Sequence, residues 1–248
     1  MAGTYAARRI PVYAPRTATA PTSPDRLGSM TGRILSPLIG AAVFLILYLL
    51  VSPIAGAFST GELPLPGSPA DEVHDFLAAN TTASLLTGLL QGLSGVGLAV
   101  VVAGPLTRVA IPDAAGGPLR TLGRVAGWVA VAAILISAAL SIVLAVIAPT
   151  AGTGTVSTVR DLSFILGGVT HVVALGVFVL LSVASVRGWS RLVRVVGWIA
   201  GSLAVLSLLS IAIYYASLFL PVGRLACMVA LVVAGIGLLR RPGLVATP

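Results

Sequence analysis

Long apolar runs, each close to the length of a membrane-spanning helix, constrain this chain more than any other feature of its sequence. A helix needs about 20 predominantly apolar residues to cross the hydrocarbon core of a bilayer. With 57% hydrophobic and only 9% charged residues, the 248-residue chain belongs to the polytopic membrane class. We predict an all-α protein with six transmembrane helices, at residues 34–54, 84–102, 125–147, 162–184, 193–218 and 222–239.

The last apolar stretch, from Val193 to Leu239, is too long for a single span. Pro221, Gly223 and Arg224 interrupt it, so we expect a tight outer turn there between the fifth and sixth helices. With Arg224 placed in that turn, no span carries a charged side chain in its interior. Because ion-coupled transporters usually need such a group or a broken helix, this pattern disfavours secondary active transport.

The distribution of arginines predicts how the chain is oriented. Thirteen of its fifteen basic residues fall on one side of the six predicted helices, and two, Arg160 and Arg224, fall on the other. By the positive-inside rule, the arginine-rich side is cytoplasmic. We therefore predict a multi-pass protein of the bacterial inner membrane with both termini in the cytoplasm. Its three parts would be a disordered basic tail at 1–33, a transmembrane domain at 34–241 and a short cytoplasmic tail at 242–248. The net charge of +8 thus serves topology, and we expect no nucleic-acid partner.

A nine-residue stretch occurs twice, from Leu122 to Ala130 and from Leu192 to Ala200, with six identical positions and an offset of 70 residues. Each copy begins a predicted outward-going helix, so helices two and three and helices four and five would form two similar hairpins. Duplication of an ancestral hairpin and convergence on the same membrane anchors both explain the repeat. Under either explanation, we expect the repeated arginines and indoles to be interfacial anchors: Arg124, Trp128, Arg194 and Trp198.

The first outer loop, residues 59–83, contains a predicted short helix over 69–80. Ser68 is expected to cap it, with Pro69 in its first turn. Val73, Phe76 and Leu77 share one face, so this helix should lie on the outer surface with its apolar stripe against lipid or against the ends of other helices.

This layout resembles small six-helix integral membrane proteins of actinobacteria. The resemblance lies in the basic tail, in the loop pattern from Ser68 to Asn80, and in the glycine-rich second span that follows it. It covers most of the chain. It implies a membrane protein but no particular activity, and it assigns no functional residue.

Polar side chains at membrane depth are the candidates for a function. His171 lies within the fourth predicted helix, and Gln91 and Ser94 lie at similar depth in the second, so the three are candidates for an intramembrane polar lining. A bis-histidine haem would need a second deep histidine, and the other one, His74, lies in the outer loop. We predict no cofactor and no metal site.

Ser94 follows Gly92 in a Gly-x-Ser-Gly sequence, and with His171 this arrangement resembles the serine–histidine dyad of rhomboid intramembrane proteases. In such a dyad the imidazole would deprotonate the serine for nucleophilic attack. The serine helix is second here rather than fourth, and the family's other polar residues are not recognisable. A bare pattern of glycine and serine is also common where membrane helices pack closely.

Three functions remain compatible with the sequence. The first is a non-enzymatic accessory or scaffold protein that offers helical faces, including Gly88-x-x-x-Gly92 and Gly197-x-x-x-Gly201, and the outer amphipathic helix to a membrane-protein partner or a second copy. The second is a passive channel or carrier for a small weakly polar or lipid-like molecule, lined by Gln91, Ser94 and His171. The third is the rhomboid-like hydrolase. The scarcity of catalytic groups favours a non-enzyme, with membrane lipids as the expected contacts.

Overall fold

The computed structural model describes residues 24–64, 67–104, 106–107, 118–184, 188–211 and 219–240. Eight α-helices of ten residues or more occur in these ranges. They are α1 (Pro24–Ala57), α2 (Ala70–Ala79), α3 (Thr81–Ala103), α4 (Pro118–Ile147), α5 (Thr153–Phe164), α6 (His171–Ala184), α7 (Arg191–Leu206) and α8 (Phe219–Leu239). A π-helical segment, Ile165–Thr170, joins α5 to α6, and a 3₁₀ segment, Ser207–Ile211, extends α7.

Within the described residues, six helical stretches are long and apolar enough to span a membrane, which confirms the predicted fold class. Their bounds are Leu35–Ala57, Thr81–Ala103, Thr121–Ile147, Thr153–Ala184, Arg191–Leu209 and Phe219–Leu239. The fourth stretch comprises α5, the π-helical segment and α6.

The six spans form a closed bundle. Each span packs against the next along the chain, and α8 returns to pack against α1. Both predicted hairpins form, α3 with α4 and α6 with α7. A single apolar core contains residues from every span, among them Phe44, Leu98, Ile134, Phe178, Ala200 and Met228.

Glycines at the helix contacts permit close packing inside the bundle. A Cβ on Gly88 would lie 2.7 Å from the carbonyl oxygen of Ala138, and one on Gly201 would lie 2.9 Å from that of Gly176. Since these glycines already face neighbouring helices of the same chain, both Gly-x-x-x-Gly sequences contribute to folding of the chain itself.

Helix α2 lies across one end of the bundle. Its residues Val73 and Leu77 are buried against Leu144, Ala148 and Val156, at the end of α4 and the start of α5. Of the two expected contacts for this stripe, with lipid or with helix ends, the structure shows the contact with helix ends. The end of the bundle that carries α2, the last turn of α1 and the first turns of α3, α5 and α8 is called the α2 end below.

The predicted cap of α2 is wrong. The helix begins at Ala70, and its N-cap residue is Pro69, with no side-chain hydrogen bond at the cap. Pro69 has φ −50° and ψ 143°, so it is extended and stands before the helix rather than in its first turn. Ser68 therefore lies one residue before the N-cap position and does not cap the helix.

Two predicted helix starts also lie nine or more residues from those observed. Residues 24–33 extend α1 and are helical, whereas they were expected to be disordered, and residues 1–23 and 241–248 lie outside the described residues. The fourth span begins at Thr153, nine residues before the expected start, because Val156 packs beneath α2 and so supports these more polar turns. Hydropathy alone does not detect such a packing contact.

The predicted turn at Pro221–Arg224 is wrong as well. Helix α8 begins at Phe219, so Pro221 and Gly223 are both helical. Proline is tolerated in the first turn of a helix because its missing N–H has no intrahelical partner there. Arg224 therefore lies inside a membrane-spanning helix, and Arg160 and Asp161 lie within the fourth span. The expectation that the spans carry no interior charge is overturned.

Candidate functional site

Arg224 lies in the second turn of α8 and faces α1. Its guanidinium carbon is 5.1 Å from the centroid of the Tyr48 ring, which is cation–π geometry. The preceding Gly223 determines this placement: a Cβ there would lie 2.7 Å from the Cα of Ala204, so α8 approaches α7 on that side. One residue further along the helix is a rotation of about 100°, which turns Arg224 away from α7.

A cavity of about 280 Å³ lies beside this pair. Its walls come from α1, α3 and α8 and consist of Tyr48, Leu49, Val51, Ser52, Gln91 and Arg224. At 1.5 Å per residue, Arg224 and Ser52 lie roughly 7 Å, and Gln91 roughly 15 Å, from the α2 end of their helices. Leu49 and Ser52 are exposed on the surface of the bundle, so the cavity opens sideways between helices.

Gln91 forms the inner wall and belongs to a polar network. Its side-chain amide donates to the hydroxyl oxygen of Ser137 at 3.3 Å. The Ser137 hydroxyl in turn lies 2.9 Å from the Ser163 carbonyl oxygen, to which it donates, and the Ser163 hydroxyl donates to the Ser137 carbonyl oxygen at 3.2 Å. The cavity wall is thereby tied to α4 and α5, immediately before the π-helical segment.

His171 is fully buried at the start of α6. Its Nδ1 lies 2.8 Å from the Ala130 carbonyl oxygen. Because a carbonyl oxygen only accepts, Nδ1 is the donor, and in the neutral imidazole Nε2 is an acceptor. That Nε2 is buried without a hydrogen-bond partner. The ring also meets Phe44 edge to face, with centroids 6.0 Å apart.

Ser94 is fully buried and donates its hydroxyl hydrogen to the Phe44 carbonyl oxygen at 2.8 Å. Among the described residues, no hydrogen bond joins Ser94 to His171, although both contact Phe44. With the serine hydrogen bonded to a backbone carbonyl and the histidine Nδ1 bonded to another, the nucleophile and base of a hydrolase are not paired. The geometry thus gives the hydrolase hypothesis no support.

Of the three residues predicted to form an intramembrane polar lining, one, Gln91, lines the cavity. Ser94 and His171 lie in the core and bind backbone carbonyls of neighbouring helices. Sequence reasoning missed Tyr48 and Arg224. The signal was present in the sequence, because an arginine three residues after a proline fits the second turn of a helix as well as a loop.

The four predicted anchors all lie on the outer surface of the bundle, in the half away from the α2 end. Trp128 and Trp198 are 46% and 50% exposed, and Arg124 and Arg194 are exposed beside them. The glycine before each indole is buried, Gly127 against Val102 and Phe178 and Gly197 against Val183. Each copy of the repeat therefore packs its glycine on the preceding helix and directs its tryptophan outward.

No protein-family model, no curated protein and no solved structure matches this chain. The cavity and its surroundings are therefore the basis for a functional assignment.

Proposed function

We propose that this protein is a multi-pass protein of the bacterial inner membrane that binds a lipid-like amphiphile in the cavity between α1, α3 and α8. The observation that carries this proposal is the position of the cavity: it lies below the α2 end, opens sideways, and combines a polar inner wall with the exposed apolar side chain of Leu49. Its volume of about 280 Å³ suits a head group, whose acyl chains would remain in the bilayer through the lateral opening.

The charge distribution supports an orientation for this site. In chain order, thirteen of the fifteen arginines come before the first span at Leu35, after α8, or in the α3–α4 and α6–α7 connections and the first two turns of the helices that follow them, all on the side opposite α2. From this arrangement and the positive-inside rule, we infer that both termini are cytoplasmic and that the α2 end is outside. In that orientation the cavity takes its ligand from the outer leaflet. Binding there would be the first step of the passive carrier function that the sequence allows.

The accessory or scaffold function has less support from the geometry. The apolar stripe of α2 is covered by α4 and α5, and the glycine faces around Gly88 and Gly201 are occupied by neighbouring helices. Two of the surfaces on which that hypothesis depended are therefore used within the chain. It stays a hypothesis that needs a different contact surface.

Photocrosslinking to a lipid tests the proposal. The purified full chain, in maltoside micelles, is irradiated with a diacyl lipid that carries a diazirine near its head group, and the labelled peptides are mapped by mass spectrometry. We expect labelling of residues 48–52, and we expect Ser52→Trp to remove most of it because the indole fills the cavity. Val146→Trp is the matched control, since Val146 is 72% exposed on α4 and does not line the cavity. Equal loss of labelling in both variants, or none in the wild type, contradicts the proposal.

A further inference from the structure

We infer that the ligand of this cavity carries an oxyanion, a phosphate or a carboxylate, that pairs with Arg224. The inference rests on the proposed function and specifies its substrate class. Arg224 lines the cavity, and its Nε is buried without a hydrogen-bond partner.

Arg160 provides the comparison within the same molecule. It also lies in a membrane-spanning helix near the α2 end, but it is 3.4 Å from the Asp161 carboxylate and donates to the Pro64 carbonyl oxygen at 2.8 Å. Among the described residues, no carboxylate pairs with Arg224. A charged side chain at membrane depth is costly unless an opposite charge compensates it, so an arginine that meets the neutral Tyr48 rather than a carboxylate indicates a counter-ion from outside the chain.

The surroundings of Arg224 favour an anion over a neutral polar group. Tyr48 lies 5.1 Å away, facing the guanidinium in cation–π geometry. A contact through the ring face leaves N–H groups along the edge of the planar guanidinium available to donate. Two such parallel donors match the spacing of two oxygens of a carboxylate or phosphate.

The other polar groups of the cavity point to the same class of ligand. The hydroxyls of Tyr48 and Ser52 and the amide of Gln91 are all able to donate, and the six lining residues include no carboxylate. The lining side chains of this cavity therefore include one cation and no anion.

Two probes that differ only in the anion test the inference. Diazirine-tagged phosphatidic acid and diazirine-tagged diacylglycerol with the same chains are each added to the full chain in maltoside micelles, which hold no competing phosphate. Because hydrogen bonds to charged groups are stronger than those to neutral groups, we expect phosphatidic acid to label residues 48–52 at least about tenfold more strongly than diacylglycerol.

Variants identify the group responsible. Arg224→Gln should reduce the difference between the two probes to less than about twofold while labelling by diacylglycerol persists, and Arg224→Lys should keep part of the preference because the charge is retained. Arg160→Gln removes an arginine that is already paired and should leave the preference unchanged. Size-exclusion profiles identify any variant that does not fold. If Arg224→Gln does not fold, the comparison of the two probes on the wild type decides whether the ligand carries an oxyanion.

The outcomes separate the inference from the proposed function. Equal labelling of residues 48–52 by both probes in the wild type overturns the oxyanion and leaves the amphiphile site intact. Absence of labelling by either probe overturns both. A fully retained preference in Arg224→Gln also overturns the inference. Inorganic phosphate at millimolar concentration distinguishes the sources: its competition with phosphatidic acid assigns the site to a free anion, and its failure to compete assigns it to a lipid head group.

Discussion

Gly167 in the π-helical segment lies so close to Ser137 on α4 that a Cβ at position 167 would overlap the serine side chain. The same Cβ would be 3.1 Å from the Gln91 side-chain nitrogen. The absence of a side chain at Gly167 therefore creates the space in which Ser137, Ser163 and Gln91 form their network. π-Helical segments are frequent at functional sites, and here the segment fixes the inner wall of the cavity.

Replacing Gly167 should consequently disturb both packing and the cavity. We expect Gly167→Ala to destabilise the protein by about 1–3 kcal/mol, the usual effect of an extra methyl group in a packed interior. Gly168→Ala is the matched control, because the nearest atom to a Cβ there is 3.6 Å away on the Phe164 ring. Thermal unfolding in detergent measures both. Equal destabilisation by the two substitutions would contradict the close approach as the cause.

Ser94 should behave as a packing residue rather than as a nucleophile. Because its hydroxyl donates to the Phe44 carbonyl oxygen, we expect the wild type to remain unlabelled by a fluorophosphonate probe. Ser94→Ala should lower stability by about 1 kcal/mol through loss of this hydrogen bond. If instead the wild type is labelled and Ser94→Ala is not, the serine is reactive and the hydrolase hypothesis gains its first support.

The Asn80 side chain, at the start of α3, forms hydrogen bonds with the segment that follows α1. Its Oδ1 accepts from the Thr60 backbone N–H at 2.7 Å, and its Nδ2 donates to the carbonyl oxygens of Thr60 and Phe76 at 3.1 and 2.8 Å. Since Asn80 is only 3% exposed, we expect Asn80→Ala to leave buried partners unsatisfied and to destabilise the protein by about 1–3 kcal/mol.

Hydrogen exchange localises this effect. Amides of residues 58–64 should exchange faster in Asn80→Ala, and faster also in Asn80→Asp, because the aspartate keeps the acceptor for the Thr60 N–H but sets a second acceptor oxygen against the carbonyl oxygens of Thr60 and Phe76. Thr158→Ala serves as the control, because its exposed hydroxyl bonds only to Gly154 in its own helix. Unchanged exchange at residues 58–64 in Asn80→Ala would show that the asparagine does not hold this segment.

Thiol labelling in intact bacterial cells tests the proposed orientation. Glu72 in α2 and Arg191 at the start of α7 are both exposed and lie at opposite ends of the bundle. A membrane-impermeant maleimide should label Glu72→Cys and not Arg191→Cys until the cells are opened. The native Cys227 is fully buried and should stay unlabelled, so the wild type is the control. The reverse pattern would place α2 in the cytoplasm.

The fold was predictable to a large extent, and the site to a small one. Apolar run lengths predicted six spans, and the repeated arginine, glycine and tryptophan predicted two hairpins, both of which form. The failures lie at helix ends, such as Ser68 and the turn assigned to Pro221–Arg224, where one residue type suits a loop and a first helical turn equally well. For this reason Arg224 was predicted to lie in a loop outside the membrane, and the cation that lines the cavity was missed.

The sequence by itself determined which segments enter the membrane, because transfer of an apolar run into lipid depends on local composition and length. Only the tertiary structure decided which polar groups meet. Tyr48, Gln91 and Arg224 belong to three helices far apart in the chain, and the close approach of α8 to α7 at Gly223 rotates Arg224 toward α1. Ser94 and His171, at similar depth in the sequence pattern, are instead bound to backbone carbonyls in the core. Their hydrogen-bond partners come from neighbouring helices, and hydropathy along a single chain carries no information about that choice.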